Sequence, residues 1–303
     1  MAEKWAFERG SKHYPACLED LENPPNVLYG IGNSEIFETP MLSIVGARRA
    51  TPYGIALAEM AARVAADCGV TVVSGGAMGC DCAAGMSALA AGGKTIAVLG
   101  CGADVVYPRS SKSLFSAAVK EGAVISLDSW GTPPRRFAFP RRNAVIAALG
   151  SVLVVTEAGV CSGTMSTAET AENLGRKVYA IPGSIFSPTS AGTNKLITDG
   201  ARIIPDEASL ALSLALDFGA TVLKQEDKTS PKSRVMSALT ASPCRPEELA
   251  MRLGENVLTL MRTLTDFEAQ RIVQRLPDGR YTPTREYHLG LVQTANMNEQ
   301  RTL

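Results

Sequence analysis

From Met41 onward the chain repeats one unit: a short apolar run rich in β-branched residues, a turn of small residues, then a helical stretch. The apolar runs lie at 42–45, 70–74, 95–99, 123–126, 152–155 and 178–180, with a shorter one at 202–204. Between and after them the helical pattern covers 52–67, 81–91, 112–120, 143–148, 164–174, 193–198 and 207–216. Strands apolar on both faces sit inside a covered sheet, and a helix between successive strands leads to parallel pairing. The pattern predicts an α/β domain over residues 41–216, a parallel sheet with helices on both faces and right-handed crossovers.

Ligands of such sheets bind beyond the carboxyl ends of the strands, so the residues after each strand carry the functional information. Here they are small: Ser74-Gly75-Gly76 after one strand, Gly100-Cys101-Gly102 after the next, Ser162-Gly163-Thr164 following Val155, and Pro182-Gly183-Ser184 near the last. The first turn is the most informative. In 41–54, Gly46 breaks the strand, Arg48 and Arg49 follow, Thr51 stands where an N-cap belongs, and Pro52 suits the first helical position. Free amides at that helix end and two arginines make a phosphate site; a tight turn with solvated arginines has the same sequence.

Net charge decides nothing globally, since 30 basic and 30 acidic side chains cancel. Locally, residues 131–143 hold Arg135, Arg136, Arg141 and Arg142 and no acid, which predicts a positive loop. Trp130, Phe137 and Phe139 flank these arginines. Cations with aromatic rings suit a single nucleic-acid strand, whose phosphates and unpaired bases need both, although such rings also serve as core anchors.

Seven cysteines is an odd number, and Cys80 and Cys82 lack a second pair, so reduced thiols are expected and neither a metal nor a cofactor. With no apolar run long enough for a membrane span and no signal-peptide core after Met1, a cytoplasmic protein without membrane contact is expected. No paired acid and base suggests catalysis. Residues 1–40 read as a packed N-terminal arm, and 217–232, mixed in charge, as a linker. Helical segments at 233–240, 246–252 and 256–269, followed by a hairpin around Asp278-Gly279, predict a winged helix over 233–283; 284–303 reads as a polar tail. Its third helix sets Arg262 against Asp266 and Glu268, which favours protein docking over duplex reading.

Laid out this way, the chain resembles the DprA/Smf family, the DNA-processing protein A of natural transformation. The resemblance rests on Ile44-Val45-Gly46-Ala47-Arg48, Ser74-Gly75-Gly76 through Cys80-Asp81, Tyr107-Pro108, Phe139-Pro140-Arg141-Arg142-Asn143, Ser162-Gly163-Thr164, Pro182-Gly183-Ser184 and Gly192-Thr193-Asn194-Lys195. It implies a Rossmann-like domain with a winged helix that binds single-stranded DNA and forms a homodimer. It also implies that the protein loads RecA while displacing single-strand-binding protein. By position it assigns Arg48 and Arg142-Asn143 to the strand, Ser162-Gly163-Thr164 to a phosphate, and Asn194-Lys195 to another edge of the pocket. Ala47, Met78, Gly85 and Ala144 depart from the family's usual serine, arginine, histidine and arginine, and two of these changes remove positive charge.

Two other classes fit parts of the sequence. A phosphoribohydrolase-type nucleotide enzyme would use Ser162-Gly163-Thr164 with Glu169 and Glu172, but leaves the winged helix unexplained. A nucleotide-sensing regulator would use the winged helix as its DNA reader.

Overall fold

The computed structural model describes residues 3–220, 235–236, 238–240, 242–284 and 287. The chain divides into two compact units, Met1–Leu223 and Lys224–Leu303. In chain order the first unit contains β1 (Lys4–Glu8), β2 (Val27–Gly32), β3 (Met41–Val45), α1 (Pro52–Asp67), β4 (Thr71–Ser74), α2 (Cys80–Ala90), β5 (Thr95–Leu99), α3 (Lys112–Glu121) and β6 (Ala123–Ser126). It continues with α4 (Ala138–Leu149), β7 (Val152–Val155), α5 (Gly163–Asn173), β8 (Lys177–Ala180), α6 (Ala191–Asp199), β9 (Arg202–Ile203) and α7 (Glu207–Phe218).

These strands form one nine-stranded sheet in the order β1-β2-β6-β5-β4-β3-β7-β8-β9. From β3 the chain works outward through β4, β5 and β6, then returns to pair β7 on the other side of β3. The sheet is therefore doubly wound, as the sequence predicts, and its topological switch point lies between β3 and β7. Alternation along the strands fills two cores. Leu42, Ile44, Val72 and Val154 pack with alanines of α1 and α2, whereas Val45, Val73, Leu153 and Val155 pack with α4 and α5. Each fully buried aliphatic side chain contributes about 1.5–3 kcal/mol.

The first forty residues, expected as a packed N-terminal arm, contribute two strands to this sheet. β1 pairs antiparallel with β2, and β2 antiparallel with β6. The Val27–Gly32 strand, VLYGIG, has the glycines of a turn, but Gly30 is where the Trp5 indole rests: an added Cβ would lie 2.2 Å from that ring. Trp5 stacks on Phe7 at 4.5 Å and donates its indole N–H to Gly32.

The second unit contains helices Pro246–Leu253 and Val257–Ala269 and the antiparallel strands Val273–Arg275 and Tyr281–Pro283. Leu249, Leu260, Leu264, Phe267 and Tyr281 are among its core residues. Most of the expected linker, parts of the first winged-helix segment and nearly all of the tail lie outside the described residues. Among the described residues no helix is long and apolar enough to cross a membrane, and no cluster of His, Cys, Asp or Glu is arranged to hold a metal ion. The seven cysteines are free.

Candidate functional site

A cleft of about 520 Å³ opens at the switch point. Its walls are the turn after β3 (Gly46, Arg48, Arg49), the start of α2 (Asp81), one side of α4 (Arg142, Asn143) and the start of α5 (Ser162, Gly163, Thr164). Arg48 and Arg49 are exposed there. The sequence singles out most of these positions, yet several do something other than meet a ligand.

Thr51 is the N-cap of α1, accepting from the Gly54 N–H at 3.2 Å, and Pro52 is the first helical residue. The helix end is nevertheless filled from within. The buried Glu157 carboxylate accepts from the Thr51 N–H (2.8 Å), the Thr51 hydroxyl (2.7 Å) and the Thr189 hydroxyl (2.7 Å). Gly54 makes the approach possible, because a Cβ there would lie 2.2 Å from Glu157 Oε2. An internal anion thus answers the α1 dipole where a phosphate was expected.

A second carboxylate serves the same turn. Asp81 is buried near the Gly46 and Ala77 amides, which favour its charged form, and faces Arg142 with Oδ2 and Nη1 3.7 Å apart. Burial pushes the Asp81 carboxyl up, against the pull of the Arg142 guanidinium, and burial lowers Arg142 in turn. Arg142 is only 3% exposed and its Nε has no hydrogen-bond partner. Its guanidinium needs Gly75, since a Cβ at that residue would fall 1.5 Å from Nη1. Gly75 therefore makes room for an internal ion pair, and the Ser74 hydroxyl is committed to Ile44 O at 2.7 Å.

The reason Arg142 is inside is that α4 begins at Ala138, not at residue 143. Pro140 lies in the first helical turn, where its missing N–H has no intrahelical role. Adjacent helical residues point in different directions. Arg142 turns into the protein, while Arg141 lines a different cleft and approaches Asp128 at 3.8 Å. The four arginines consequently form no single positive loop. Arg135 and Arg136 are exposed, with Arg135 5.9 Å from the Phe137 ring centroid, and neither lines the switch-point cleft. Phe139 is the ring that stays with it, 5.0 Å from the Arg48 guanidinium and 5.9 Å from that of Arg142. Trp130 packs edge-on against Tyr29 and is an anchor.

The start of α5 is different. Ser162 occupies the N-cap with extended backbone but makes no cap bond, and its hydroxyl has no partner. Thr164 donates to Gly46 O at 3.1 Å and Asn143 to Gly163 O at 3.3 Å, so the turn is fixed from both sides. Asn194 and Lys195 lie apart from the cleft: Asn194 bonds both backbone groups of Gly183, and Lys195 pairs with Asp199 at 2.6 Å. Glu169 and Glu172 are exposed on α5, and neither lines the cleft. Sequence reasoning missed Asp81 as an ion-pair partner and Glu157 as a helix cap. A carboxylate directly after a strand, as in Thr156-Glu157, was the available signal.

The chain matches the family described as DNA recombination-mediator protein A over residues 6–214, and the DprA winged helix domain over 220–279. The DNA processing protein DprA of Streptococcus pneumoniae is 39% identical over 191 residues, 63% of this chain and 67% of that protein. Protein Smf of Escherichia coli is 30% identical over 291 residues, 92% of this chain and 77% of that protein. Among solved structures, the S. pneumoniae protein aligns with a TM-score of 0.67 at 35% identity, over 71% of this chain and 75% of that one. DNA processing protein A from Helicobacter pylori, solved for its single-stranded DNA binding mode, aligns with a TM-score of 0.65 at 29% identity, over 71% of this chain and 97% of that one.

Proposed function

The chain belongs to the DNA recombination-mediator protein A family, also called DprA or Smf, and from that premise we propose that it is a single-stranded DNA-binding recombination mediator. One observation carries the reading: the exposed Arg48 and Arg49 face an uncapped α5 N-terminus across one cleft at the switch point. A phosphate oxygen there meets two permanent cations and the Gly163 and Thr164 amides at the start of α5, and the unpaired Ser162 hydroxyl lies beneath them, within a side-chain rotation of the same oxygen. Phe139, stacked under Arg48, gives a base a ring beside the phosphate. The Helicobacter relative, solved for its single-stranded DNA binding mode, supports the same ligand.

We infer the finer assignments by likeness to the family. The bound strand is handed to RecA as single-strand-binding protein is displaced, during natural transformation in the cytoplasm. The protein acts as a homodimer and catalyses no reaction. Leu212 and Leu216, exposed on α7, suit contact with a second copy. In the second unit Met251, Leu258 and Met261 are exposed on the two helices, which suits a protein partner better than duplex DNA.

Fluorescence anisotropy with a single strand, a duplex and a mononucleotide at several salt concentrations tests the reading. The single strand should bind tightest, with a steep loss as salt rises. Equal affinity for the mononucleotide, or release of free base that Glu169→Ala abolishes, would replace it with the enzyme reading.

A further inference from the structure

The loop after β8 leaves the same sheet edge as the cleft and presents a feature that the cleft does not use. It is held firmly. Gly183 donates its N–H to Asn194 Oδ1 (3.1 Å) and accepts from Nδ2 (3.0 Å), while Thr189 is tied to Glu157. Within the loop the Phe186 N–H donates to Ser184 Oγ (3.2 Å), and the Ser187 N–H to Ser184 O (3.0 Å). Yet the tip of this braced loop leaves Ile185 84% and Phe186 90% exposed. An aromatic ring carried on an ordered backbone binds with little further loss of conformational entropy.

We propose that Phe186 is a stacking platform for a base of the single strand whose phosphates occupy the switch-point cleft. The proposal rests on the reading given above and extends its site to the β8 side. Three observations support a base as the occupant. Thr189, three residues from Phe186, lines the cleft itself, so loop and cleft are continuous. Residues 184–190, Ser-Ile-Phe-Ser-Pro-Thr-Ser, carry no charge and repel no phosphate. On the opposite side, the loop after β5 places Tyr107 with its ring 6.0 Å from Phe139. In the order β5-β4-β3-β7-β8 four strand spacings separate the two aromatic positions, about 19 Å at the usual spacing. A strand lying across the edge therefore runs from Tyr107 and Phe139 over Arg48 and Arg49 to Phe186. Because every base has a π face, a platform at either end is indifferent to sequence.

The test uses the full chain and an oligo(dT) probe. Phe186→Ala should weaken binding about fivefold, the lower end for one stacked base, and leave the salt slope unchanged. A probe of abasic sites should bind Phe186→Ala and the parent protein equally. Phe186→Trp should keep the affinity and lose indole fluorescence on saturation, beyond any change from Trp5 and Trp130. Arg48→Ala is measured alongside. If it binds weakly while Phe186→Ala binds like the parent, the platform is overturned and the cleft reading stands. If both bind like the parent, the cleft reading falls and the platform with it. If Phe186→Ala changes only the mass of the protein in solution, the ring belongs to a protein contact and the proposal is wrong.

Discussion

The turns after β3 and β7 lie side by side at the switch point, and each opens a helix with a hydroxyl residue at the N-cap. They meet their unpaired groups in opposite ways. Around the first, Glu157 accepts from the Thr51 amide and hydroxyl and the buried Asp81 lies near the Gly46 amide, so the protein's own carboxylates occupy the places of an anion. Around the second, the Ser162 side chain makes no cap bond and its hydroxyl has no partner; of the first three α5 amides only that of Met165 is bonded, to Ser162 O at 3.0 Å. A helix N-terminus is only a candidate anion site; whether the fold has already supplied the anion decides whether a ligand is needed.

The largest effect expected from this contrast is on stability at the filled turn. Asp81→Ala leaves the buried Arg142 guanidinium without its counter-ion and should cost about 3–5 kcal/mol, measured by urea denaturation of the full chain. Replacing the pair together by apolar residues should be milder. An unchanged midpoint for Asp81→Ala would mean that Arg142 finds its counter-charge elsewhere and that the turn is not closed by Asp81.

Thr51→Ala comes next. It removes a cap bond and a bond to Glu157, and should cost about 2 kcal/mol. Strand affinity, measured under conditions where the variant is folded, should stay within twofold. A large loss of affinity with little loss of stability would reverse the assignment of the two turns.

Much of this was legible in the sequence. The β-branched runs, Thr51-Pro52 at the start of α1 and Ser162-Gly163-Thr164 at the start of α5 are local signals, and local chemistry decided them. What was hidden depended on distance or on one helical boundary. Glu157 lies 106 residues from the threonine it caps, and no local pattern joins them. Arg141 and Arg142 look equivalent in a loop but separate once the helix is seen to start at Ala138, ahead of a proline that reads as a break. Lys4–Glu8, with Trp5 and Phe7 alternating, carried a strand signal that the glycines of its partner obscured.

At the open turn the effects move from stability to binding. Arg48→Ala should weaken single-strand binding for all sequences and reduce the slope of log affinity against log salt by about 0.7, as for one phosphate contact on a single strand. Arg49→Ala should do the same. Stability should stay within about 0.5 kcal/mol, because both side chains are exposed. Arg142→Ala, by contrast, should lower stability, since it leaves Asp81 buried without its cation. Arg142 loss confined to binding would place it in contact with the strand after all.

The smallest expected effect discriminates most sharply. Ser162 and Thr51 are both N-cap hydroxyl residues, and replacement of an N-cap by alanine ordinarily costs about 1 kcal/mol of stability. The Ser162 hydroxyl makes no bond, so Ser162→Ala has no such interaction to lose, and removing a buried unpaired hydroxyl should leave the urea midpoint level or slightly raised. Its contribution arises when a phosphate oxygen arrives and the hydroxyl, buried and unpaired at rest, turns about the Cα–Cβ bond to donate to it. A hydrogen bond to a charged group contributes about 1.5 kcal/mol, so the single strand should bind roughly tenfold more weakly to Ser162→Ala. The salt slope should not change, because no cation is removed. Denaturation and anisotropy on the same preparation separate the outcomes. A destabilised variant with parental affinity would show that the α5 start is capped in solution as firmly as α1, and the contrast between the two turns would be lost.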